Sequence, residues 1–289
     1  MSTQVDPDQF TTPFLLTKTL HRDPYPAILP ENPHNSQKGK IIIITGGGGG
    51  LGAAAAKVWA RAGATGIVIA ARRTQNLMKV SDEIKAINPD ITVLQVKADI
   101  TSEDDVKSLF AAVKKTFKRP ADVLLNNAGY MVDDQLIGET PVDDWWKGFE
   151  INLKGLYIMV QHFIQAQPNQ KAPTGTVITV SSGRAGLTNP GGSAYNISKL
   201  AEERLSEHIQ IEYPTLRVFT TMPGIAATDM TTGFWEPYAL DHVDLGSMVG
   251  VNWDVEEMEQ HKKEIVDKKL LQTAWLPILP LGGGSGLGK

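Results

Sequence analysis

Lys40-Ile41-Ile42-Ile43-Ile44-Thr45-Gly46-Gly47-Gly48-Gly49-Gly50-Leu51-Gly52 is the stretch on which the reading of the fold turns. Four consecutive β-branched residues, with no alternation to polar ones, are expected of a central parallel strand buried on both faces. The glycines allow a tight turn and close backbone approach, and Ala53 to Ala62 reads as a helix whose N-terminus would offer free N–H groups to a pyrophosphate. Strand, glycine loop and helix in that order distinguish a dinucleotide loop from a flexible linker. The similar run Gly282 to Gly288 has no helix after it and reads as part of a disordered tail over 273–289.

The same alternation continues downstream. Strands are expected at Gly66 to Ala71, Ile91 to Lys97, Val123 to Leu125, Gly175 to Val180 and Leu216 to Thr221. Helices are expected between them at about Gln75 to Ile87, Glu103 to Phe117, Val142 to Gln165 (one long helix) and Ala194 to Glu212. Six apolar strands separated by helices argue for an α/β fold, a doubly wound parallel sheet (Rossmann fold) in one domain, and right-handed crossovers give the order 3-2-1-4-5-6. Gly246 to Trp253 reads as a seventh strand and Val255 to Leu271 as a last helix. Residues 1–39, with Asp23-Pro24-Tyr25-Pro26 and Pro30-Glu31-Asn32-Pro33, read as an irregular arm, because proline forbids a regular element there. The main domain is expected over 40–272.

Bulk properties narrow the function. A chain of 289 residues that is 42% hydrophobic suits one large domain with an ample core. The net charge of -4 shows no basic excess, and Lys114, Lys115, Lys118 and Arg119, like Lys262, Lys263, Lys268 and Lys269, alternate with apolar residues as solvated helix faces do. No nucleic-acid surface is expected. The absence of cysteine excludes disulfides and thiolate metal sites and fits a reducing compartment, so a cytoplasmic protein is expected. No apolar run approaches the ~18 residues of a membrane span, and Met1 to Phe10 carries acids rather than the basic start of a secretory signal.

The end of the second expected strand reports on the dinucleotide. An acid there would accept hydrogen bonds from a ribose 2′-OH, but the chain has Ala71-Arg72-Arg73. Two guanidiniums suit a 2′-phosphate, so NADP(H) is preferred to NAD(H). Further on, Tyr195-Asn196-Ile197-Ser198-Lys199 sets a phenol and an ammonium four residues apart, on one face of a helix. A neighbouring cation favours phenolate over phenol, which makes such a tyrosine a proton donor.

With Thr45-Gly46-x-x-x-Gly50-x-Gly52, Asn126-Asn127-Ala128-Gly129, Ser181-Ser182 after a strand, Tyr195-x-x-x-Lys199 and Pro223-Gly224, the chain resembles the short-chain dehydrogenase/reductase family over Lys40 to about Met230. The arm from Leu16 to Pro26 also resembles a subgroup common in filamentous fungi that often serves secondary metabolism. The resemblance implies that Tyr195 donates a proton to a substrate carbonyl as the nicotinamide delivers hydride. It implies that Lys199 favours the phenolate and holds the nicotinamide ribose. Ser182, thirteen residues before Tyr195, rather than Ser181, would hydrogen-bond the substrate oxygen, and Asn152 would support a water-linked proton relay.

By the same resemblance Gly46, Gly50, Leu51 and Gly52 hold the pyrophosphate. Arg72 meets the 2′-phosphate, Asp99 lies near the adenine ring, and Asn126 borders the adenine ribose. Ala226 and Thr228 reach the nicotinamide amide. Helix N-capping before Glu103 is the alternative role for Asp99. Residues from about 228 to 246 would form a substrate lid carrying Phe234, Trp235 and Tyr238, with little room for the helix that normally precedes the last strand, so the substrate wall is open to question. The expected activity is an NADPH-dependent oxidoreductase interconverting a small-molecule carbonyl and alcohol. The alternatives are an NADP(H)-binding sensor or scaffold, and a dehydratase or epimerase using the same tyrosine. Dimers and tetramers through the long helices are common in the family.

Overall fold

The structure, a computed structural model, describes residues 17–19, 21, 23–131, 135–224, 228, 230 and 254–267. Strands β1 (Ile41–Thr45), β2 (Gly66–Ala71), β3 (Thr92–Lys97), β4 (Val123–Asn126), β5 (Gly175–Val180) and β6 (Leu216–Thr221) form one parallel sheet in the order 3-2-1-4-5-6. Helices α1 (Gly50–Arg61) and α2 (Thr74–Ile87) cover one face. The other face carries α3 (Glu103–Phe117), α5 (Leu156–Gln165) and α6 (Ser193–Glu212).

The unbroken isoleucine run now has its explanation. Ile42 and Ile44 pack with Ile67, Ile69, Leu77 and Ile84 beneath α1 and α2, whereas Ile41 and Ile43 pack with Val68, Leu109, Met159 and Phe163 beneath α3 and α5. A strand whose successive side chains enter two different cores has no face left for polar residues.

The expected long helix is helical throughout but is not one regular helix. It runs as α4 (Val142–Phe149), a π-helical turn over Glu150–Gly155, and α5. A π turn pairs residues five apart and is frequent at functional sites. Here it contains Asn152, whose side chain is committed elsewhere, as described below. Two other boundaries move: α1 begins at Gly50 rather than near Ala53, and the segment after Val255 forms two short helices, α7 (Val255–Gln260) and α8 (Lys262–Asp267), with a turn at His261. The expected seventh strand, most of the lid and the tail lie outside the described residues.

In the arm, only 3-10 turns occur among the described residues, at Pro26–Ile28 and Pro33–Asn35. The arm clasps the start of α7. The backbone N–H groups of Lys18 and Thr19 donate to the Glu257 carboxylate, that of Asp254 donates to Thr17 Oγ1, and that of Val255 donates to the Tyr25 hydroxyl. His21 stacks on Tyr25 and lies 2.6 Å from Asp254 Oδ2.

Phe163 tests the core on the α3/α5 side. It is fully buried and its ring sits where Gly175 leaves space, a Cβ there being only 3.0 Å from Phe163 Cζ. Phe163→Ala should cost about 3–5 kcal/mol, read as a lower urea midpoint with an unchanged m-value.

Candidate active site

The order 3-2-1-4-5-6 reverses direction between β1 and β4, and ligands of open α/β sheets bind in the crevice beyond the strand ends at that point. The loops that follow β1 and β4 are tied together there. Thr45 Oγ1 accepts from the N–H groups of Asn127 and Ala128 and donates to the carbonyl of Leu125, and Asn127 Nδ2 donates to the Thr45 carbonyl at 2.8 Å. Gly46 turns with φ +68, and a Cβ on Gly52 would come within 2.5 Å of the Gly46 carbonyl oxygen. The loop therefore closes on itself only with glycine at both positions.

This cradle suits a dinucleotide. Helix α1 begins at Gly50 with no side-chain cap and no acid in its first turn, so its N–H groups are open to phosphate. Leu51 is half-buried in that turn, and Thr228 lies over it, with Cγ2 3.2 Å from where a Gly50 Cβ would stand. At the end of β4, Asn126 is buried with neither amide atom paired among the described residues, which leaves a donor and an acceptor for a ligand. Arg72 and Arg73 are exposed after β2. Asp99, after β3, accepts from the N–H and hydroxyl of Thr101; burial pushes its carboxyl up, but these bonds and the Arg72 guanidinium hold it below the ordinary range. Ser102, not Asp99, caps α3. Ala226 lies outside the described residues.

The second half of the site is built around Asn152, which is 1% exposed. Its Oδ1 accepts from Tyr130 N–H at 2.7 Å, and its Nδ2 donates to the Tyr130 carbonyl and to Ser198 Oγ, both at 2.9 Å. Ser198 Oγ donates in turn to the Tyr195 carbonyl. One amide thus joins the loop after β4, the π turn and α6. Helix α4 packs alongside, Gly148 lying against Ala194 and Trp145 Nε1 donating to Ser193 Oγ, so Tyr195 is positioned through its neighbours.

Tyr195 is partly exposed. Lys199 Nζ stands 5.7 Å from the centre of its ring, and Arg184 Cζ stands 5.4 Å from it. Arg184 is held by Asn196 Oδ1 at 2.9 Å, and Asn196 also binds the Leu187 carbonyl. Ser182 is half-buried, and its Oγ accepts from Arg184 N–H, leaving its proton to donate. Ser181 is buried and donates its hydroxyl to Glu203 Oε1 at 3.0 Å, so of the two serines only Ser182 is open to a substrate. Lys199 and Asn152 meet beside Gly129, where a Cβ would lie 3.5 Å from Nζ and 3.6 Å from Oδ1.

Three participants were not singled out in the sequence. Lys199 Nζ donates to Glu202 Oε1 at 2.9 Å, to Oε2 at 3.1 Å and to the Val180 carbonyl at 3.0 Å. Both side chains are buried, at 5% and 2% exposure. Burial alone would push the Lys199 ammonium down, but Glu202, with Tyr195 and Glu203, holds it above its usual range. Burial pushes the Glu202 carboxyl up to about 7 against the pull of Lys199. Glu203 is likewise raised by burial, against the Ser181 hydroxyl bond. A lysine followed three and four residues later by acids is the ordinary pattern of a solvated helix, so Glu202 and Glu203 carried no distinguishing signal. Arg184 had none either.

Comparisons with known proteins agree with this architecture. A family model described as short chain dehydrogenase matches residues 40–239. A Monascus purpureus short chain dehydrogenase, mpl6, is 31% identical over 89% of this chain and 95% of its own length, and an Emericella variicolor short chain dehydrogenase, andI, is 30% identical over 89% and 94%. Among solved structures, a 3-ketoacyl-(acyl-carrier-protein) reductase from Brucella melitensis complexed with NADH superposes with a TM-score of 0.65 at 27% identity, covering 78% of this chain and 91% of that one. An NAD+-bound xylitol dehydrogenase superposes with a TM-score of 0.61 at 26% identity, covering 66% and 72%. The chain belongs to the short-chain dehydrogenase/reductase family, oxidoreductases that act on small molecules with a nicotinamide dinucleotide. Among the described residues no helix is long and apolar enough to cross a membrane, and no group of potential metal ligands occurs.

The Thr45 hydroxyl provides a direct test of the cradle. Thr45→Val leaves the N–H groups of Asn127 and Ala128 without their acceptor, at a cost of about 1–3 kcal/mol each. Thr45→Ser should restore most of that loss in chemical denaturation.

Proposed function

We propose that the protein is an NADPH-dependent carbonyl reductase or alcohol dehydrogenase with Tyr195 as proton donor. The observation that carries this reading is the partly exposed Tyr195 beside the buried ammonium of Lys199, at the strand ends that also bear the glycine cradle. When bound, the dinucleotide supplies or accepts the hydride. Gly46, Gly50, Leu51 and Gly52 would hold its pyrophosphate, with Asp99 and Asn126 toward the adenosine and Ala226 and Thr228 toward the nicotinamide. Arg72, exposed where an acid would mark NAD(H), is the residue for a 2′-phosphate.

The chain's own residues divide the remaining work. Tyr195 gives its phenolic proton to the substrate oxygen on reduction and takes one on oxidation. Ser182 donates its hydroxyl to the same oxygen as charge develops. Lys199 supplies a cation beside the phenol, 5.7 Å from the ring centre, where it stabilises the negative charge that develops as the proton is transferred. Asn152, its side-chain amide spent on Tyr130 and Ser198, acts by fixing the loop and helix between which the others stand. The fungal relatives, short chain dehydrogenases by name, make a place in secondary metabolism the favoured setting.

Tyr195→Phe should reduce turnover of a carbonyl panel by at least about a thousandfold, in line with loss of a positioned acid, with NADPH binding by fluorescence little changed. Undiminished turnover removes the assignment. Wild-type protein should show a lower KM for NADPH than for NADH, and Arg72→Ala should raise the first without raising the second; an equal or lower KM for NADH contradicts the NADP(H) preference.

A further inference from the structure

We infer that Glu202 is a positioning residue for Lys199: its carboxylate chelates the ammonium against the Val180 carbonyl and keeps it charged beside Tyr195. The inference rests on the reading of Tyr195 as proton donor. All three N–H groups of the ammonium have acceptors within the protein, two of them on Glu202. A solvent-facing lysine needs no such partner. This one, 5% exposed, has lost its hydration and would shed its proton readily if left alone. An uncompensated buried charge is also strongly destabilising, whereas a hydrogen-bonded pair is tolerated. The backbone carbonyl of Glu202 accepts from Ser206 Oγ, which bridges to Thr179 on β5, so this turn of α6 is tied to the strand that bears the Val180 carbonyl.

The groups around the pair bear on its charge in known directions. On α6 these are Tyr195 and Glu203, of which Glu203 is turned toward Ser181. The strand β5 brings the Val180 carbonyl and the Thr179 hydroxyl, and the residue after it brings the Ser181 hydroxyl. The loop after β4 and the π turn bring Gly129 and Asn152, neither of them titratable, and the turn after β5 brings Arg184 to the far partner, the Tyr195 ring. Glu202 is therefore the carboxylate in direct contact with the ammonium, and removing its charge alters Lys199 before any other group.

Glu202→Gln keeps the shape and an acceptor but removes the charge. Lys199 then loses its proton at lower pH, so the basic limb of the kcat profile should move down by about one pH unit or more, and kcat at the pH of the former plateau edge should fall about ten-fold. The free protein gives a second readout. In the wild type Lys199 is raised, so its contribution to stability is full below the unfolded value and is lost only as pH rises through the folded one. In the variant Lys199 is lowered, the unfolded chain binds the extra proton, and stability rises with pH below the unfolded lysine value, where the Lys199 contribution in the wild type is flat.

A basic limb coincident with wild type in a folded variant overturns the inference, whatever the change in stability. Should Glu202→Gln fail to fold, Glu202→Asp takes its place: the charge remains but is withdrawn by one methylene, and kcat at neutral pH should fall about ten-fold or more, unchanged kcat being the contrary result. Tyr195→Phe measured alongside separates the two claims. If it retains turnover, the proton-donor reading fails; if it is inactive while the Glu202 limb stays in place, only the role of Glu202 fails.

Discussion

The structure depends first on a strand with no face to spare. Ile41 to Ile44 bury their side chains in two separate cores, so β1 must lie at the centre of the sheet with helices on both sides. Right-handed crossovers then carry the chain outward through β2 and β3 in one direction and through β4, β5 and β6 in the other. The place where the chain changes direction is the crevice between the ends of β1 and β4; Arg72, Asp99 and Ser182 follow the ends of β2, β3 and β5 on the same edge of the sheet, and Asn152, Tyr195 and Lys199 stand on the helical elements packed beside it. Burial of four isoleucines thereby decides where a dinucleotide can lie.

Within that crevice the polar groups are connected rather than scattered. Thr45 and Asn127 lace the glycine loop to the loop after β4, and Asn152 laces that loop to α6. The π turn is what lets Asn152 do this while α4 and α5 keep their own packing, α5 in the core and α4 against the start of α6. Tyr195 is left partly open at the end of this chain of bonds, while Lys199 behind it is sealed in with a counter-charge.

Much of the fold was legible because its signals are local. The isoleucine run, the glycine turn and the apolar strands at Gly66, Gly175 and Leu216 each announce their own conformation within a few residues. The site motifs were legible for the same reason: the tyrosine and lysine share a helical turn, and the glycines serve a turn of their own. Other features were hidden because they depend on distant partners. The interruption at Glu150 to Gly155 has no proline or glycine pair to mark its start; it accompanies the commitment of Asn152 to Tyr130 and Ser198, residues far apart in sequence. Asp99, for which a capping role was an alternative, is bound instead to Thr101 with Arg72 nearby, and the cap falls to Ser102.

By itself the sequence determined the class of fold, the position of the glycine cradle and the pairing of Tyr195 with Lys199, since each follows from residue type and short-range spacing, while Ser182 and Asn152 became candidates through the family resemblance. Only the tertiary structure decided which serine is open, that the Asn152 amide is a tie, and that Glu202 is a buried partner of Lys199 rather than one more acid on a wet helix. The reason is burial. Whether a charge is solvated or must be compensated depends on what the rest of the chain packs over it, and no local pattern in Lys199 to Glu203 records that.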